Sequence, residues 1–362
     1  MNTLQINDSQ SSNPFLSWIS RWPIWVAYAA AIWSFIYGIM GLYWMMGGIG
    51  FPFGEGDPVA EVTILNGLRA ETGAPCVMIL GFAGTTIAFA MARLKGKGMI
   101  RALLITFSVF LFIMLAFIIP DARVMITIAY MPIFIVGAPF DFPPVSFWDY
   151  INWSIINQFI LVLGGLLWAA TGLTYYRRSE KACGYCGRLN GNTSQWLTSS
   201  SAAKWGKWFV YAGFGLPFVY SISRIAWALG YPLGITEAFL HQLQANGLVY
   251  AGLGLAILGL GGGVLILGLI QRWGEVFPRW IPFFAGKRVP PALAIIPALL
   301  VATALGSLGS QIFRQFFMSG DYKGFFNNPV SIFPIWGLIL YGATIAYYYR
   351  RRGQCKHCQH DA

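Results

Sequence analysis

Long apolar runs separated by short polar segments dominate this chain. Runs at 24–48, 74–92, 102–120, 155–175, 208–230, 248–270, 291–312 and 331–349 are mostly apolar. An α-helix rises about 1.5 Å per residue, so roughly 20 apolar residues cross a hydrocarbon core about 30 Å thick. The pattern predicts an all-α integral membrane protein with eight transmembrane helices. A ninth apolar stretch, "VMITIAYMPIFIVGAPF" at 124–140, is shorter and is interrupted by Pro132. It reads as a re-entrant or interfacial segment on the outer side. Residues 1–23 read as a disordered tail. Their polar start lacks the basic region of a secretory signal.

Composition agrees with the pattern. The chain is 57% hydrophobic and only 10% charged, against about 25% charged for a soluble domain. A net charge of +11 would point to nucleic acid in a soluble protein. In a membrane protein it points to basic loops on the cytoplasmic side. With the N-terminus inside, the inner segments hold 19 of the 24 Lys and Arg and only four acids, while nine acids lie outside. This places both termini in the cytoplasm, with the lipid bilayer as the partner and no nucleic acid. Were 124–140 to span, every later loop would change sides and both arginine runs would lie outside.

The chain also repeats itself. "GFPFG" at 50–54 matches "GYPLG" at 230–234, and "NGL" at 66–68 matches "NGL" at 246–248. "LLWAATGLTYYRR" at 166–178 matches "ILYGATIAYYYRR" at 339–351. The prediction is two parallel four-helix repeats, 24–188 and 208–362, joined by a cytoplasmic linker at 189–207. An even number of helices returns each repeat to the same membrane face. Asn66 and Asn246, at matching positions, read as helix-start caps. Gly259 and Gly263 mark a close helix contact.

Each repeat ends in an arginine run and a Cys-x-x-Cys pair: Cys183 with Cys186, and Cys355 with Cys358. Their predicted compartment is reducing, which argues against structural disulfides. Parallel repeats bring the two pairs together, giving the four thiolates that structural Zn2+ takes. A thiol redox pair and unliganded tail cysteines are the alternatives, and His357 and His360 are further possible ligands. Cys76 reads as a buried apolar filler.

The spans carry one conspicuous charge, Arg224, about six residues from the outer end of the fifth span. Snorkelling to the headgroups is one reading. The other is a ligand-binding pocket for a small anion, with Tyr220 and Ser221 on the same helical face and an outer acid as partner. Asp121 and Glu237 lead the candidate acids, followed by Asp141 and Asp149. The matching position in the first repeat is Trp44. Asn157, Gln158, Gln311 and Arg314 are further polar groups near the outer face.

The phrases "GLYWMMGGIGFPFG", "SRIAWALGYPLG", "RWGEVFPRWIPFFAGKRVPP" and "GGLLWAATGLTYYRRSEKACGYCGR" resemble a family of polytopic membrane proteins of Gram-positive bacteria. The resemblance implies a multi-pass bacterial plasma-membrane protein and carries over no catalytic residues. Three function classes follow from the residues. A transport-like or small-ligand-binding protein leads. A regulator or scaffold docking a cytosolic protein partner is second, and a membrane thiol oxidoreductase is third.

Overall fold

The computed structural model describes residues 18, 21–94, 96–140, 151–188, 196, 198–320, 322–352, 355 and 357–358. Asp141, Asp149 and His360, and most of the predicted tail, lie outside them. The helices are α1 Trp22–Met45, α2 Ala70–Arg93, α3 Gly98–Ile113 continued by a π-helical turn Met114–Ile118, α4 Ala122–Gly137 and α5 Trp153–Ser179. They continue with α6 Ser199–Ala228, α7 Glu237–Ala245, α8 Leu248–Leu267, α9 Pro291–Ser319, α10 Tyr322–Asn327 and α11 Phe333–Arg351. Eight are long and apolar enough to cross a membrane: α1, α2, α3, α5, α6, α8, α9 and α11, the third and last with their adjoining turns. No strand occurs among the described residues.

The order of packing recurs. α1 lies against α2 and α5, and α3 lies against α5; α6 lies against α8 and α11, and α9 lies against α11. Glycines set the closest of these contacts. A Cβ on Gly81 would stand 2.3 Å from the Gly38 backbone nitrogen, and one on Gly41 would stand 2.4 Å from that of Met78. The α1 and α2 backbones therefore touch, as small residues permit in lipid. Gly263 on α8 receives the ring of Pro217 from α6. Pro217 and Pro297 both lie inside continuous helices.

The membrane faces follow from hydrogen bonds between helix ends. Arg178, in the last turn of α5, donates to the Ala92 carbonyl at the end of α2. The Trp153 indole N–H, at the start of α5, donates to Gly50 O beyond α1. Arg350, near the end of α11, donates to Leu269 O beyond α8. The ends of α2, α5, α8 and α11 thus share the face that carries the cysteine pairs.

The ninth stretch forms α4, which runs through Pro132 without interruption. Its 16 residues span about 24 Å, short of the hydrocarbon core. Its first turns wedge between the halves, with Val124 packed among Val162 of α5 and Ala304 of α9.

Several expectations need correction. α6 begins at Ser199, inside the stretch read as linker, because the Thr198 side chain caps it through the Ser201 N–H. Asn66 and Asn246 do not start helices. Asn246 closes α7, and the following Gly247 is left-handed at φ 68°, as Gly67 is at φ 75°. The Asn-Gly pair is a chain reversal whose glycine supplies the positive φ. Cys76 is exposed, not buried. α2 buries Ala74 and Gly81, and two residues along a helix turn the chain by about 200°, which points Cys76 away from the bundle.

Candidate functional site

Beyond α5 the chain turns back on itself. Ala182 N–H donates to Arg177 O, Cys183 N–H to Arg188 O, and Gly187 N–H to Cys183 O. Gly187 is left-handed, at φ 72°, which lets the chain close behind Cys186. The Arg177 guanidinium donates to the Gly184 and Tyr185 carbonyls at 3.1 Å each, fixing this knuckle to α5. The second pair follows α11 and meets the first. Arg352 donates to Cys186 O at 2.7 Å, and Tyr348 O–H to Tyr185 O at 3.3 Å. The His357 ring stacks on Tyr185 at 3.6 Å.

Four sulfurs result from this meeting. Cys183 Sγ lies 3.9 Å from Cys355 Sγ, and Cys186 Sγ lies 3.5 Å from Cys358 Sγ. All four lie within 4.8 Å of one another. These are not disulfides, whose sulfurs sit about 2.05 Å apart. A tetrahedral ion with bonds of about 2.3 Å sets its sulfurs about 3.8 Å apart. The cluster therefore matches the size of a four-thiolate metal site and is compatible with zinc. Burial pushes the Cys186 thiol up to about 12. Burial also raises Cys355, but the Cys358 and His357 N–H groups outweigh it and hold that thiol at about 7. A metal ion would hold all four as thiolates. Four protein ligands leave no open position, the form of a structural rather than a catalytic site.

At the opposite face lies a buried polar cluster. Asp57, in the segment between α1 and α2, takes N–H bonds of 2.8 and 2.5 Å from Arg123. The same guanidinium bonds Asp121 at 2.7 Å. The three side chains are at most 7% exposed. Gln158 of α5 donates to Asp121 at 2.7 Å, and Gln311 of α9 accepts from the Ala122 N–H at 2.6 Å. Arg314 of α9 faces Asp121 electrostatically, so two carboxylates meet two guanidinium groups. Tyr37 O–H donates to Asn157 Oδ1 at 2.7 Å, while Asn157 Nδ2 is buried without a partner. Asp57, Asn157 and Gln158 line a cavity with room for about one water. Burial alone would raise the Asp57 pKa, but the bonds from Arg123 and the Val59 N–H hold it below the ordinary value.

The residues predicted around Arg224 are placed as follows. The Arg224 guanidinium lies over the Tyr220 ring at 4.7 Å and the Trp227 ring at 3.9 Å, with Nε buried and unpartnered. Ser221 Oγ turns to the Ala256 carbonyl at 3.1 Å. Asp121 is engaged by Arg123, and Glu237 is exposed at the start of α7. The structure thus joins Arg224 to Tyr220 and, among the described residues, gives it no ion pair. Sequence reasoning missed Arg123 and Asp57. The signal for Arg123 was its place two residues after Asp121 at the mouth of a helix; Asp57 had none.

Compared with protein-family models, curated proteins and solved structures, the chain matches none.

Proposed function

We propose that this chain is a multi-pass bacterial plasma-membrane protein of two parallel four-helix repeats with both termini in the cytoplasm. A structural zinc ion on Cys183, Cys186, Cys355 and Cys358 clamps the two repeats together. One observation carries the reading: sulfurs from segments 172 residues apart meet within 4.8 Å. Matching features in the two halves support the repeat. Gly50 and Gly230 are left-handed at φ 83° and 90°, and Gly54 and Gly234 at 51° and 75°. The Gly96 N–H between α2 and α3 donates to the Tyr175 oxygen, and at the corresponding place Tyr347 O–H donates to Gly274 O between α8 and α9. The spacing of these tyrosines is that of the cysteines, one residue less than the aligned aromatic phrases give. The orientation rests on the bias of Lys and Arg toward the cysteine face.

The halves are tied at the cysteine face by the four sulfurs and at the other by Gln311 of α9, which accepts from the Ala122 N–H beside the Asp57–Arg123–Asp121 cluster, and the cavity there is water-sized. Such bracing favours a membrane regulator or scaffold that presents the zinc clamp to a cytosolic partner over a solute passage. Small-ligand binding is the second reading, supported by the unpartnered Asn157 Nδ2 and Arg224 Nε. The test is metal content. Protein purified under reducing conditions should carry about one zinc per chain, and Cys358→Ser should remove most of it while the protein stays inserted. Metal-free wild-type protein, or undiminished zinc in a Cys186→Ser/Cys358→Ser variant, would refute the clamp.

A further inference from the structure

Between α8 and α9 the chain forms a hairpin. Val276 and Arg288 make an isolated antiparallel bridge. Around it Phe277 N–H donates to Lys287 O at 3.0 Å and Val289 N–H to Glu275 O at 2.8 Å. The base of this hairpin is fastened to α11. Glu275 pairs with Arg350 at 2.7 Å and with Arg351 at 3.6 Å. Arg351 also donates to Val289 O at 2.8 Å.

The tip is the reverse of the base. Trp280 is 81% exposed and Phe283 is 88% exposed. Phe283 is left-handed at φ 66°, a conformation that a bulky side chain seldom adopts. The Phe284 ring is exposed as well, with Lys287 Nζ 5.7 Å from its centre. Arg279, next to Trp280 in the chain, and Lys287 and Arg288 are exposed on the same hairpin. The hairpin's one acid, Glu275, is already occupied at the base. The hairpin therefore combines three exposed rings at its tip with Arg279 and Lys287 beside it and Arg288 at the bridge, and among the described residues none of these three cations has an ion pair.

We propose that this tip is a binding site for anionic lipid headgroups on the cysteine face of the membrane. In this reading Trp280, Phe283 and Phe284 seat in the interface, while Arg279, Lys287 and Arg288 contact the phosphates. Charge complementarity selects an anionic layer. Tethering selects a lipid layer, because α8 and α9 are both spans and the hairpin reaches only about 15 Å beyond its fastened base. Tryptophan seats at the bilayer interface, and cations there draw anionic lipid. The site does not depend on zinc.

Photocrosslinking tests it. The full-length protein carries p-benzoylphenylalanine at position 283, in nanodiscs of phosphatidylcholine mixed with phosphatidylglycerol. Irradiation should give lipid adducts at that position, enriched in phosphatidylglycerol above the mixing ratio. Arg279→Gln, at an exposed position, should lower that enrichment by about fivefold. An Arg279→Gln/Lys287→Gln/Arg288→Gln variant should return it to the mixing ratio. Absence of lipid adducts, adducts at the mixing ratio in the unsubstituted tip, or a protein adduct at 283 in native membranes would each overturn the proposal.

Discussion

Replacing Arg123 by methionine removes the one cation that both Asp57 and Asp121 bond. The volume changes little, so the cost is electrostatic. Asp57 is 3% and Asp121 1% exposed in the side chain. Five N–H contacts of 2.5–3.1 Å link Arg123 to these two carboxylates. Breaking a buried pair by deleting one partner costs about 3–5 kcal/mol, because an uncompensated charge stays behind. Gln158 and Arg314 still face Asp121, so the lower end of that range is expected, about 3 kcal/mol. Uncharged partners should reverse most of it: Asp57→Asn/Arg123→Met/Asp121→Asn should fall within about 1 kcal/mol of wild type, since a pair replaced as a whole is near neutral. Equilibrium unfolding in mixed micelles measures both variants, and zinc content serves as the check that the cysteine face is intact. A loss under about 1 kcal/mol for Arg123→Met, or a triple variant as weak as the single one, would show that the cluster does not fasten the segment after α1 to α4.

Two further predictions concern the same bundle. Asp57 has a depressed pKa, so its contribution is fully present above the ordinary value of 3.8 and is lost as pH falls through the folded value. Protease nicking of the segment between α1 and α2 should therefore rise only below about pH 4, and Asp57→Asn should abolish that acid step. Gly81→Leu should separate α1 from α2, because even a Cβ there stands 2.3 Å from backbone. A loss of about 2 kcal/mol or more is expected from overpacking, against little effect for Gly261→Leu, where a Cβ meets nothing within 4 Å.

The apolar pattern determined the eight spans by itself, because length and hydropathy alone decide whether a helix can cross hydrocarbon. It also contained the cysteine meeting, because an even number of spans returns the second pair to the face of the first. Tertiary structure decided which side chains pair. Arg224 turns to Tyr220 and Trp227 on its own helix, within reach of local spacing, while among the described residues it has no ion pair and the candidate Asp121 is taken by Arg123. Asp57 and Arg123 are 66 residues apart and share no motif. They meet only because α4 is wedged between the halves and the segment after α1 folds over its start. Tyr175 and Tyr347, which stand just before the arginine runs, are buried and bonded to the turns between neighbouring helices, a role that no local spacing gives. Periodicity gives the face of a helix that is apolar. In a chain this apolar nearly every face is, so only packing decides which one turns to protein and which to lipid.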